Sequence, residues 1–377
     1  MSRLPTILVA PMILTLSCVE PWYPEAVTAT TEGFLVVDGY LDGSSKTGTV
    51  KLSRSVLLGE SRDSSPEVDA IVTIEDDAQH SVSLNETSDG LYEISDLGVT
   101  TSSKYRLHIK TKNGSGYSSD PIELKVSPSF DSLVWRGEED AVRFYVNAHD
   151  NTDQTQFYHY RIMETWEYRV PFVSHYKIGE SGFPVRRNED EFITFCWKSV
   201  VGNDIVIKAT RPGDDAVRMF PVHEVKRGSR SLSMLYSLWV QQRAISREEY
   251  NFLDLLQRTS EDLGGLFDAI PSPVVGNIHS DDNSSESVLG YFSGGFPNEK
   301  RIFISYEELP KNLRDLDGLG YECSIQTFTL GQNEPVGSIV YIEISDISIN
   351  QYYVSTPNCA DCRTLGGNTV KPSFWPQ

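Results

Sequence analysis

Tyr105-Arg106-Leu107-His108-Ile109-Lys110, the turn Lys112-Asn113-Gly114 and then Tyr117 form the stretch on which the fold is decided. Tyr105, Leu107 and Ile109 alternate with Arg106, His108 and Lys110, so one face of an extended strand is apolar and the other wet. His108 is therefore expected to face solvent rather than to ligate anything. Asn113-Gly114 supplies the positive φ angles that a tight hairpin needs. The same pattern continues upstream in Phe34-Leu35-Val36-Val37, Thr49-Val50-Lys51-Leu52-Ser53, Ala70-Ile71-Val72-Thr73-Ile74, Ser81-Val82-Ser83-Leu84 and Gly90-Leu91-Tyr92-Glu93-Ile94. Downstream it runs from Tyr117 through Ile122, Leu124 and Val126. About seven short strands with regular turn signals predict an Ig-like or carboxypeptidase-regulatory-like Greek-key β-sandwich over residues 33–127.

Ser127-Pro128-Ser129 reads as a boundary, and residues 128–377 as a larger β-rich domain ending in a Cys-x-x-Cys tail. Its strands are richer in aromatics, as in Val142–Val146, Phe157–Ile162, Phe192–Trp197 and Ser233–Val240. One helix is clear. Ser246-Arg247-Glu248-Glu249 is a capping box, in which Ser246 accepts from the backbone and Glu249 reaches back. Tyr250, Leu253, Leu256 and Gln257 continue at helical spacing until Gly264-Gly265. Strands resume at Val288–Phe292, Arg301–Tyr306, Ser324–Leu330 and Val340–Ile349.

Residues 1–17 read as an export signal: Arg3, then the apolar run that includes Ile7, Leu8, Val9, Met12, Ile13 and Leu14. The run is too short for a bilayer core of roughly 30 Å, which takes about twenty apolar residues, and it has the length of a secretory signal. Thr15-Leu16-Ser17-Cys18 resembles the lipobox of bacterial lipoproteins, so Cys18 is the expected site of lipidation. Several acyl chains, at about 0.8 kcal/mol per buried methylene, hold a protein durably on a membrane. Residues 18–32, with Pro21 and Pro24, read as a tether.

The net charge of −20, made one unit more negative when Arg3 leaves with the signal, excludes a protein that binds nucleic acid by neutralising phosphates. Five cysteines leave four once Cys18 is acylated: Cys196, Cys323, Cys359 and Cys362. In an exported chain these are disulfide candidates, with three pairings open. Cys359-Ala360-Asp361-Cys362 has the spacing of a zinc or redox half-site. Zinc, however, needs two further ligands, and no second close pair exists. Redox chemistry wants a strand-to-helix turn, whereas this pair lies in a Pro/Gly-rich tail without helical pattern. A structural staple is expected. Asp281-x-Asn283-x-Ser285 begins like a calcium loop, but Glu286 stands where Gly is needed and Phe292 where the bidentate Glu belongs. Gly290-Tyr291-Phe292-Ser293-Gly294 is not a nucleophile elbow. The acidic runs Glu138-Glu139-Asp140 and Glu189-Asp190-Glu191 read as loop surface, and Asp131-Ser132-Leu133 as a strand start. No cofactor, metal or catalytic residue is expected, and the chain reads as a non-enzyme.

Several landmarks together resemble one family of Bacteroidota lipoproteins, DUF4249. They are Val36-Val37-Asp38-Gly39, Val50-Lys51-Leu52-Ser53-Arg54, Gly90-Leu91-Tyr92, Phe195-Cys196-Trp197, Gly264-Gly265-Leu266-Phe267-Asp268 and Gly276-Asn277-Ile278. Leu289-Gly290-Tyr291-Phe292, Cys359-Ala360-Asp361-Cys362-Arg363 and Lys371-Pro372-Ser373-Phe374-Trp375 complete the series. The resemblance implies a lipid-anchored outer-membrane protein with a TonB-dependent β-barrel receptor as partner, and the cell surface is the expected face. It defines no catalytic residues and no ligand. The expected function is that of a non-enzymatic accessory subunit for ligand capture or uptake. The alternative is a structural or adhesive surface lipoprotein, or an accessory of outer-membrane protein assembly.

Overall fold

The computed structural model describes residues 33–55, 64–152, 154–211, 216–261, 274, 276–314, 323–331, 340–348 and 350–376. Cys18, the signal, the tether and the Gly264-Gly265 stop lie outside them. Within them the chain is mainly β, with two sandwiches and one long helix, α1 (Arg247–Glu261).

The alternation that announces the first sandwich is realised residue by residue. Tyr105, Leu107 and Ile109 are buried while Arg106 and Lys110 are exposed. His108 is partly exposed, 3.9 Å from Glu75. One sheet runs in the order Lys125–Val126, Leu289–Phe296, Leu35–Asp42, Thr47–Arg54, Leu91–Ser95, Asn85–Ser88. The facing sheet runs Ile278–Ser280, Gly116–Ser119, Lys104–Lys110, Ile71–Asp76, Ser81–Ser83. Leu35, Val37, Leu41, Val50 and Leu52 from one side meet Val72, Ile74, Leu107, Ile109 and Tyr117 from the other in a single core.

Residues 278–296, expected in the second domain, belong to this first sandwich. Leu289–Phe296 pairs in parallel with Leu35–Asp42 on one side and with Lys125–Val126 on the other. A hairpin cannot make a parallel pair, so the chain travels through the second domain before it returns. The chain thus passes between the two sandwiches three times, near residue 127, before Ile278 and again between Phe296 and Asn298. Two glycines admit the returning strand. Gly290 sits at φ +107, and a Cβ there would lie 1.8 Å from the Val37 carbonyl oxygen. At Gly39 a Cβ would press into the Phe292 ring, which is fully buried.

The second sandwich packs a three-stranded sheet (Phe130–Gly137, Ala141–His149, Ala216–Lys226) against a five-stranded one. In the latter Phe157–Arg169 carries Phe195–Val201 and Val206–Ala209 on one edge and Leu235–Ala244 on the other, followed by Asn298–Ser305. Phe144, Val146, Tyr158, Tyr160, Tyr236, Leu238 and Val240 fill the space between. Strand Leu235–Ala244 is covered on both faces. At one end of its outer face Arg301 donates to the Ser237 hydroxyl at 2.9 Å while stacking 3.7 Å from the Phe374 ring centre. Trp375 packs edge-on to Phe303. Trp375 is therefore buried, as is Phe292, while Phe374 stays at the surface as a lid on Arg301.

A third, smaller sheet (Gln326–Thr329, Gln351–Ser355, Val340–Asp346) is stapled to the second sandwich. Disulfides join Cys196 to Cys362 and Cys323 to Cys359. The two cysteines of the Cys-x-x-Cys motif thus take different partners. The tail is not free of helix: Pro357–Ala360 makes one α-turn, with Pro357 at its first position where its missing N–H costs nothing, and Cys362–Leu365 a 3₁₀ turn. Cys196 and Cys362 are fully buried, and the Tyr168 hydroxyl donates to the Cys362 carbonyl at 2.7 Å.

Candidate functional site

The first turn of α1 points into the seam between the two sandwiches. Ser246 caps it as its position in the sequence predicts, its Oγ accepting the Glu249 amide at 3.0 Å. The Tyr291 hydroxyl from the returning strand meets the same Ser246 hydroxyl. Phe252, one turn on, packs against Tyr291 with ring centres 5.1 Å apart.

Between α1 and the first sandwich lies a cleft of about 710 Å³, within the size range of small-molecule sites. Pro121, Ile122, Phe252, Leu255 and Tyr291 give it an apolar wall. Asp120, Glu123, Lys125, Arg247, Glu248 and Glu249 supply charge. Arg247 is committed to the Phe157 ring at 5.0 Å, Glu123 to Lys104 at 2.8 Å and Asp120 to His279 at 3.3 Å.

Glu249 is the unusual member. It is 8% exposed, and among the described residues no cationic side chain lies within ion-pair distance of it. Burial pushes its carboxyl up from 4.5 to about 7, against the opposing pull of a hydrogen bond with Ser293 and of the Arg243 charge; Asp38 adds to the rise. The capping box thus contributes its serine half, while the Glu249 carboxyl turns to Ser293.

Behind Glu249 the seam is closed by stacking. The Arg243 guanidinium carbon lies 3.4 Å from the centre of the Tyr40 ring, and its Nε donates to Gln241 at 2.8 Å. Burial lowers the Arg243 pKa and, together with Arg243 and Arg161, lowers that of His159 to about 3. The linking segment is equally fixed. Ser127 Oγ accepts the Ala244 amide at 2.8 Å, and the Pro128 carbonyl accepts Gln242 Nε2 at 2.8 Å.

The other motifs are absorbed by local packing. Asp282 accepts the Gly116 amide at 2.9 Å, Asp281 accepts the Ser118 hydroxyl and Glu286 accepts the Tyr117 hydroxyl at 2.7 Å. The acidic loop is a clamp over the Lys104–Ser119 hairpin. No cluster of three metal-ligating side chains occurs among the described residues. Glu138 pairs with Arg143 and Glu191 with Lys177, and Asp131 holds His149 at 2.6 Å. Of the cysteines picked out from sequence, four form the two staples. In the sequence Glu249 reads only as part of a cap, and Tyr291 and Ser293 only as members of a stretch that is not a nucleophile elbow. Their convergence depends on the parallel return of residues 289–296, for which sequence carries no pairing signal.

Among solved structures, the chain is similar to a two fibronectin type-III domain segment from chicken tenascin, with 9% identity over 57% of this chain and 91% of that one and a TM-score of 0.14. It is also similar to the Yersinia pseudotuberculosis adhesin InvE, with 12% identity over 55% of each chain and a TM-score of 0.16. At these scores neither likeness bears on what the chain does. No curated protein matches it. The profile described as Domain of unknown function (DUF4249) matches residues 20–301, three-quarters of the sequence and both sandwiches almost entirely. The chain belongs to the DUF4249 family.

Proposed function

We propose that the protein is a non-enzymatic outer-membrane lipoprotein, held by acyl chains on Cys18 at the cell surface, that serves a TonB-dependent β-barrel receptor as an accessory subunit for ligand capture. The observation that carries the binding role is the cleft at the seam. Its walls come from both sandwiches, and those sandwiches are interlocked by the returning strand and the hydrogen-bonded linker, so a captured ligand meets a preorganised surface. The anchor rests on the signal and lipobox residues ahead of the family match, and the barrel partner on the family resemblance.

Purification of the tagged protein from detergent-solubilised outer membranes tests the pairing. A β-barrel receptor should co-elute in stoichiometric amount. Elution of the protein alone argues for a structural or adhesive role, and elution with assembly machinery for biogenesis. Replacing Cys18 by Ser should release the mature protein from the membrane fraction.

A further inference from the structure

We infer that the seam cleft is a binding site for a small organic amine, whose ammonium is received by Glu249 and Ser293 and whose apolar body lies against Phe252, Tyr291, Pro121 and Ile122. This rests on the ligand-capture reading above and gives it a ligand class.

The argument starts from an uncompensated group. A carboxyl more than nine-tenths buried normally has an ion pair or a set of donors, because removing charge from water costs several kcal/mol. Glu249 has the Ser293 hydroxyl and no ion pair among the described residues, yet it lines an open cleft. A ligand ammonium entering the cleft supplies the missing counter-charge to a carboxyl that burial holds largely away from bulk water, where a charge-assisted hydrogen bond is strong. The nearest protein cation, Arg243, is engaged by the Tyr40 ring and Gln241.

The rim agrees in sign. Four carboxyl groups, Asp120, Glu123, Glu248 and Glu249, line the cleft against two cations, Lys125 and Arg247, and Glu123 is paired with Lys104. A carboxylate or phosphate ligand would meet buried like charge, and a neutral alcohol would leave Glu249 without its counter-ion. The tilted Phe252–Tyr291 pair gives a cationic ligand an aromatic surface as well.

The probe is 2-phenylethylamine, compared with the neutral 2-phenylethanol and the anionic 3-phenylpropionate, by chemical-shift titration of the full mature chain at pH 8. The amine should bind about tenfold more tightly than the alcohol, and the anion not measurably. Glu249→Gln should bring amine affinity down to that of the alcohol and leave the alcohol unchanged, with the thermal midpoint confirming folding. Should that variant not fold, the wild-type protein carries the test: amine affinity should drop about tenfold from pH 8 to pH 5.5 as Glu249 takes up its proton, and Phe252→Ala should weaken amine and alcohol alike. Equal binding of amine and alcohol to the wild type, or a folded Glu249→Gln variant with undiminished amine affinity, overturns the proposal. Neither result touches the co-purification test, so an amine site can fail while the barrel pairing stands, and the reverse.

Discussion

Asn277 grips the backbone of Phe292 as a neighbouring strand would: its Nδ2 donates to the Phe292 carbonyl and its Oδ1 accepts the Phe292 amide, both at 2.8 Å. Asn277 is 7% exposed, Phe292 is fully buried, and the pair locks the returning strand at the point where it fills the first sandwich. An amide side chain is suited to this because it presents one donor and one acceptor side by side.

Asn277→Ala should therefore leave a buried amide and a buried carbonyl of Phe292 without partners. The expected cost is about 2–4 kcal/mol, read as a lower urea midpoint with an unchanged slope. Asn277→Asp should cost at least as much at neutral pH, because its buried carboxylate sets an oxygen against the Phe292 carbonyl. An Ala variant as stable as wild type would show that this grip is incidental.

The pH dependence of stability should carry the signature of Glu249. Its folded-state pKa, about 7, lies above its ordinary 4.5. Between those values the folded state holds more protons than the unfolded one, so stability falls as pH rises from 4.5 through 7 and is level beyond. The full span amounts to about 3 kcal/mol. Glu249→Gln removes this slope. The difference between wild type and variant, measured by chemical denaturation from pH 5 to 8, should shift in the variant's favour as pH rises; a constant difference counts against the buried carboxyl.

Stacking of Arg243 on Tyr40 should be separable from the tyrosine hydroxyl. Tyr40→Phe keeps the ring and should be close to neutral, whereas Tyr40→Leu should cost about 1–2 kcal/mol through the lost cation–π contact. Unfolding curves of the two variants decide the matter, and equal losses would assign the effect to the hydroxyl.

Disulfide mapping should give one three-part assembly. Trypsin and a Glu-specific protease together separate the stretches holding Cys196, Cys323 and the Cys359/Cys362 pair, and without reductant the three should stay joined. A C-terminal fragment closed on itself through Cys359 and Cys362 is the contrary result. Replacing Cys196 and Cys362 together by Ser should cost about 4 kcal/mol, the scale expected for closing a long loop.

The first sandwich was legible because its strands are wet on one face, so Tyr105, Leu107 and Ile109 announce themselves by alternation. Strand Leu235–Ala244 is covered on both faces and loses that signature: Gln242 and Arg243 are buried where polarity would place them outside. The helix start was readable from Ser246, since capping is local. Glu249 also looked local, and its burial arises from residues far away in sequence. The cysteine pairing was open for the same reason, as spacing alone does not tell Cys359 which distant thiol it meets.

The strand at 289–296 has a consequence for how the molecule comes into being. A chain made from its N-terminus presents residues 33–126 first, yet the slot between Leu35–Asp42 and Lys125–Val126 stays vacant until more than 160 further residues have emerged. The first sandwich is thus closed only after most of the second has been made, and the second's own last strand, Asn298–Ser305, follows directly. A fragment cut at Ser127 would keep its aromatic gap and two bare strand edges, and such edges invite aggregation, so the two halves are heritable and expressible only as one piece.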